Sequence, residues 1–144
     1  MTVADLIASR KTVFSVAETA TVHETARYLR DNQVRAVGVL NGGGRLIGIV
    51  SQSDVSDKVA AENKCPAWMR VPEIMSSHLV LIKPTATLDE CLWLMEKHKI
   101  FHLPVVDDKA DFHGLISVQD LLRVIATDQK ARADMLEAYI FTNR

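Results

Sequence analysis

The 144-residue chain reads as an α/β (α+β) protein built from two tandem β-α-β-β-α units with a C-terminal helix. The first observation is a phrase written twice, Gly48-Ile49-Val50-Ser51-Gln52-Ser53-Asp54 and Gly114-Leu115-Ile116-Ser117-Val118-Gln119-Asp120. The second is register: Gly48 to Gly114, Ser51 to Ser117 and Asp54 to Asp120 are each 66 positions apart (114 − 48, 117 − 51, 120 − 54). The same shift pairs Thr19, Ala20, Thr21, Glu24 and Val39 with identical residues at Thr85, Ala86, Thr87, Glu90 and Val105. The third is that each copy alternates short β-rich runs with helical apolar spacing, so the duplicated unit is a whole supersecondary element.

Each element has a local reason. In the first positions, Asp5-Leu6-Ile7 matches Glu73-Ile74-Met75 only if the first copy carries two extra residues near Arg10-Lys11-Thr12, an insertion expected in a surface loop. Val13 to Val16 and Leu79 to Ile82 predict the opening strands. Thr21-Val22-His23-Glu24 and Thr87-Leu88-Asp89-Glu90 are capping boxes that start helices, whose apolar residues Val22, Ala26, Leu29 and Leu88, Leu92, Met95 fall on one stripe. Val34 to Leu40 and Ile100 to Val106 predict strands, which reverse at Asn41-Gly42-Gly43-Gly44 and at 107–111 and return as Leu46 to Val50 and Phe112 to Ile116. Second helices are expected to follow Ser51 and Ser117. Because aspartate is shorter than glutamate, those S-x-x-D corners are expected to close a reciprocal cap less well than the Thr–Glu pairs.

The expected organisation is a first repeat over 3–60, a linker over 61–70, a second repeat over 71–127 and a helical tail over 128–144. Pro66 and Trp68 mark the linker, Pro72 opens a short helical turn, and Trp68 and Trp93 are expected to pack. Apolar residues from Leu121 to Ile140, with a polar middle at 127–132, predict one helix anchored at both ends that can touch a second subunit.

Composition excludes several classes. A net charge of −1 gives no electrostatic reason for nucleic acid or an anionic membrane as main partner. No apolar run reaches about 18 residues and no signal-peptide pattern opens the chain, so a cytoplasmic location is expected. Cys65 and Cys91 show no CxxC spacing, and the five histidines show no HExxH spacing, so no metal ligands and no required cofactor are expected. The serines lack a G-x-S-x-G elbow, and no nucleophile or base accompanies the carboxylates, so no catalytic residue is assigned and an enzyme is not expected. Gly42-Gly43-Gly44 lacks the GK[ST] ending of a phosphate loop and reads as a turn.

The paired phrases, together with Leu103-Pro104-Val105-Val106-Asp107, resemble a tandem pair of cystathionine-β-synthase (CBS) domains, a Bateman module, from about Val3 to Ala126. The resemblance implies two repeats packed about a pseudo-twofold axis, pairing into a homodimer, and regulatory binding of an adenosyl ligand such as AMP, ADP, ATP or NAD(H) between the repeats. On that reading Asp54 and Asp120 accept ribose hydroxyls as charge-assisted hydrogen bonds, while Ser51 and Ser117 contact sugar or phosphate at the positive helix end. Gly48 and Gly114 would permit close backbone approach. Arg35 and His102 are the phosphate candidates, and Val16, Ala36, Val37, Ile82, Leu103 and Pro104 the adenine-pocket candidates. Two departures from the family pattern stand out: Gly38 replaces the usual proline of the first copy, and neither S-x-x-D contains an arginine, which argues for a weakly charged ligand. S-x-x-D is also a helix-capping signature, and capping and binding can coexist. The rival reading is a ligand-independent dimerisation or scaffold module; either way a regulated protein partner would receive the output.

Overall fold

The computed structural model describes residues 1–127 and 129–142. Helix α1 (Val3–Ile7) is closed by Thr2, whose hydroxyl accepts from the Asp5 N–H while the Asp5 carboxylate takes the Thr2 N–H. The first repeat then runs β1 (Ser15–Ala17), α2 (Val22–Asp31), β2 (Ala36–Leu40), β3 (Leu46–Ser51) and α3 (Gln52–Val55), the last continuing as a π-helical turn over Ser56–Ala60. The second runs α4 (Leu88–His98), β4 (His102–Val106), β5 (Phe112–Ser117) and α5 (Val118–Thr127), and α6 (Gln129–Thr142) follows.

β1 pairs parallel to β2 through the α2 crossover, and β2 pairs antiparallel to β3. β4 and β5 form the equivalent hairpin, but the second opening strand is reduced to one parallel bridge, Ile82 to Val105. The expected strand over Leu79 to Ile82 is therefore a single rung. The hairpin turns are chemically the same: the Asn41 and Asp107 side chains each accept two backbone N–H groups, from Gly43 and Arg45 and from Lys109 and Asp111. Their tips meet, since Arg45 reaches its own repeat-equivalent, Asp111, at 3.2 Å. A contact between equivalent residues is what a local twofold relation produces.

The upstream segments are exchanged between the repeats. Val3 N–H donates to Ala86 O, and its counterpart Val71 N–H donates to Ala20 O, both at 2.9 Å. Val3 is accordingly buried in the second repeat's core with Leu88, Leu92, Leu103 and Ile116, whereas Met69, Val71 and Ile74 complete the first repeat's core around Val22, Val37 and Val50. Each fully buried aliphatic side chain contributes about 1.5–3 kcal/mol. The expected linker over 61–70 thus ends inside a core, and the pairing of Asp5-Leu6-Ile7 with Glu73-Ile74-Met75 holds.

Three expectations are corrected. The stretch from Asp120 to Phe141 is two helices, not one: α5 ends at Thr127, and α6 packs against both α4 and α5 so that Met135 reaches the second core. Residues 128, 143 and 144 of the expected tail lie outside the described residues. Trp68 is 87% exposed, because its short turn hands the core position to Met69 next to it. Reciprocal caps form at Ser51–Asp54 and Ser117–Asp120, where the serine N–H donates to the aspartate at 2.8 Å. At Thr21, by contrast, Glu24 accepts from the threonine hydroxyl at 3.0 Å. Thr2 and Asp5 close the same reciprocal cap on α1, so the shorter aspartate fits this geometry at three helix starts.

Candidate functional site

A cleft of about 740 Å³ opens where the end of β3 and the start of β2 face the end of β5 and the start of β4. Arg35, Ala36, Ser51 and Gln52 line it from the first repeat, and Phe101, His102, Gly114, Ser117 and Asp120 from the second. The Arg10 to Thr12 loop and Phe14 close one side. A volume of this size is ordinary for a small-molecule site.

Among the described residues Asp120 is the only carboxylate on the lining, and it is tightly positioned. Its Oδ2 accepts from the Ser117 N–H at 2.8 Å and the Ser117 hydroxyl at 2.9 Å, while Arg10 Nη2 stands 2.9 Å away. Arg123 Nη1 meets Oδ1 at 3.3 Å. Four cationic side chains, Arg10, Lys11, Arg35 and Arg123, therefore share the cleft with one acid. Fixed positive charge in a concave, partly dry site concentrates anions.

His102 lies deep in the same wall. Burial pushes its imidazole below the ordinary value, Asp120 opposes the shift, and Arg35 adds to it. It therefore enters neutral solution uncharged, able to donate or accept one hydrogen bond but adding no cation.

The Asp54 corner is built alike and filled differently. Asp54 holds Ser51 through the same reciprocal cap, but its Oδ1 pairs with Lys58 Nζ at 3.0 Å, and that ammonium also donates to Ile74 O at 2.8 Å. Any side chain at Gly48 would collide with the Met75 thioether and the Ser76 carbonyl. Gly48 thus makes room for Met75 rather than for a ligand. Gly114 faces open space, with Arg10 Nη1 as its nearest neighbour at 3.7 Å, and its φ of +114° requires glycine.

Of the residues singled out in the sequence, Ser51, Ser117, Asp120, Arg35, His102 and Ala36 come together on this cleft. Asp54, Val16, Ile82, Val37, Leu103 and Pro104 do not border it: Val37 and Leu103 are fully buried in the two cores, Ile82 is in the second core, and Val16 faces a separate shallow groove beside Tyr28. Pro104 is buried in β4. Sequence reasoning missed Arg10, Lys11, Arg123, Phe14 and Phe101. The two-residue offset did mark the Arg10 loop, and Arg123 stands one helical turn after Asp120; Phe101 is the repeat-equivalent of Arg35.

Among the described residues no group of three or more His, Cys, Asp or Glu side chains could hold a metal ion, and no helix is long and apolar enough to cross a membrane.

Comparison with known proteins places this geometry. The chain is similar to a CBS-domain protein of Burkholderia ambifaria, at 30% identity and a TM-score of 0.82 over 90% of this chain and 96% of that one. The fold is shared with the CBS domain protein PAE2072 of Pyrobaculum aerophilum, solved with AMP, at 21% identity and a TM-score of 0.82 over 95% and 99% of the two chains. It is shared also with the CBS domain pair of protein MJ0100, solved with 5′-methylthioadenosine and S-adenosyl-L-methionine, at 24% identity and a TM-score of 0.78 over 88% and 96%. Among curated proteins, a homoserine O-acetyltransferase of Methanocorpusculum labreanum is 32% identical over 84% of this chain, and an inosine-5′-monophosphate dehydrogenase of Nitrosopumilus maritimus 28% identical over 75%. The chain spans only 23% and 21% of the length of those two relatives. The CBS domain family model matches residues 3–61 and again 71–127, and the chain belongs to the CBS domain family as a tandem pair.

Proposed function

We propose that the chain is a regulatory module that binds one anionic adenine nucleotide in the Asp120 cleft and does not transform it. The observation that carries this reading is the charge of the lining, four cationic side chains around a single capped carboxylate. A carboxylate on the cleft wall suits a ribose diol, and arginine forks suit phosphate. The solved complexes of CBS pairs with AMP and with S-adenosyl-L-methionine and 5′-methylthioadenosine supply the adenosyl class. Charge then discriminates within it. S-adenosyl-L-methionine offers Arg10, Lys11, Arg35 and Arg123 one carboxylate offset by a sulfonium and an ammonium, whereas AMP, ADP, ATP and NAD(H) bring net negative phosphates. The weakly charged ligand suggested by the missing S-x-x-D arginines gives way, since Arg10, Lys11 and Arg123 supply those cations from outside the motif.

The output is a change in a homodimer or in a surface read by a regulated protein partner, in a cytoplasmic setting. Self-association is favoured by apolar side chains left half exposed on the last two helices, Leu122, Leu136 and Ile140. Calorimetric titration with AMP, ADP, ATP, NADH and S-adenosyl-L-methionine tests the reading. Binding of one or more of the phosphorylated ligands, tighter than that of the sulfonium compound, is the expected result; no heat with any of them would overturn it and leave the scaffold module standing.

A further inference from the structure

We infer that Arg10 is a displaceable occupant of the ribose corner, and that its displacement makes the cleft select adenosine ligands carrying an anionic group over uncharged ones. This rests on the reading of the Asp120 cleft as an adenine-nucleotide site and names the residue that sets its selectivity.

The two halves of the molecule solve one structural problem differently. In the first repeat, the free edge of β3 is covered by backbone: Ile49 N–H donates to Ser76 O at 3.0 Å, and Ser76 N–H to Ile49 O at 2.8 Å. The repeat-equivalent of Ile49 is Leu115 on β5 (115 − 49 = 66). There the carbonyl is met by a side chain, with Arg10 Nη1 donating to Leu115 O at 2.6 Å. The same guanidinium places Nη2 2.9 Å from Asp120 Oδ2. Arg10 sits in the loop between α1 and β1, next to the two-residue offset between the repeats. Backbone pairing at Ser76 is fixed; a loop-borne side chain, 31% exposed, can leave.

Its leaving is what ribose binding requires. Asp120 Oδ2 already accepts from Ser117 twice and from Arg10, so a diol bridging both carboxylate oxygens can take Oδ2 only when the guanidinium gives it up. Uncharged adenosine offers Arg10 no new partner, so the charge-assisted bond is lost outright. A phosphate offers the fork a second anion in the same cleft. The exchange then costs little, and Arg10 discriminates by charge without touching the base.

The test is a calorimetric comparison of AMP and adenosine on the full chain, as wild type, Arg10→Gln and Arg10→Lys, with thermal melts to establish that each variant folds. The expected pattern is a crossover: Arg10→Gln weakens AMP by roughly tenfold and tightens adenosine several-fold, the scale of one charge-assisted hydrogen bond, while Arg10→Lys keeps part of the preference for AMP. If AMP binds the wild type but adenosine binds Arg10→Gln no better than it binds the wild type, the displacement role is overturned and the nucleotide site stands. If neither ligand binds any of the three proteins, the nucleotide reading itself falls, and this one with it.

Discussion

Asp120 and Asp54 carry the same side chain, the same serine cap and the same repeat position, yet their carboxylates meet different cations. Asp54 is tied to Lys58 on its own helical turn; Asp120 is met by Arg10 from a distant loop and by Arg123. The sequence showed both corners, because a repeated S-x-x-D is visible, but not their inequality, because Arg10 reaches Asp120 across 110 positions (120 − 10) and no periodicity records that. His102 gives a pH signature at this scale. Its folded-state pKa is depressed by burial, so the unfolded chain takes up the proton first, and stability falls as pH drops from the ordinary histidine value toward the folded one. His102→Gln is expected to flatten that part of the stability curve measured by denaturant titration; an unchanged slope would contradict the assignment. The two thiols give a second check. Burial, with Glu90 adding to it, pushes the Cys91 thiol up to about 12, whereas Cys65 is exposed. Iodoacetamide at mildly alkaline pH is expected to label Cys65 in the native protein and Cys91 only after unfolding, read by peptide mass.

The helices and hairpins were legible because their signals are local: Thr21 and Thr87 cap α2 and α4, and Asn41 and Asp107 fold the two turns by the same side-chain bonds. Elements decided by tertiary contact were not. α6 becomes a separate helix because Met135 finds a core shared with α4 and α5, and the rung at Ile82 shrinks although its sequence is as apolar as β1. Gly38 belongs with these. In β2 it leaves room for a neighbouring element, since a Cβ there would stand 2.7 Å from the Phe112 ring of β5 and 2.9 Å from Leu46 Cδ1. Its N–H also lies on the Phe14 carbonyl at 3.4 Å, a donor that proline would remove. Gly38→Ala is expected to cost about 1–3 kcal/mol by overpacking, seen as a melting temperature lower by several degrees. A variant as stable as the wild type would show that the two sheets do not meet closely at this point.

At the scale of the molecule, the exchanged segments make the two repeats one cooperative unit. Val3 completes the second core and Val71 the first, so neither half keeps its full core without the other's leading segment. The twofold relation nevertheless ends at the two glycines of the repeated phrase: Gly114 borders the open cleft beside Arg10, whereas Gly48 is packed by Met75 and Ser76. The central claim is thus one nucleotide per chain, bound at Asp120. Native mass spectrometry of the protein with saturating AMP, alongside Asp120→Asn and Asp54→Asn, tests it most directly. One AMP per chain, lost in Asp120→Asn and retained in Asp54→Asn, is the expected result; two AMP per chain, or a loss caused equally by either substitution, would contradict it.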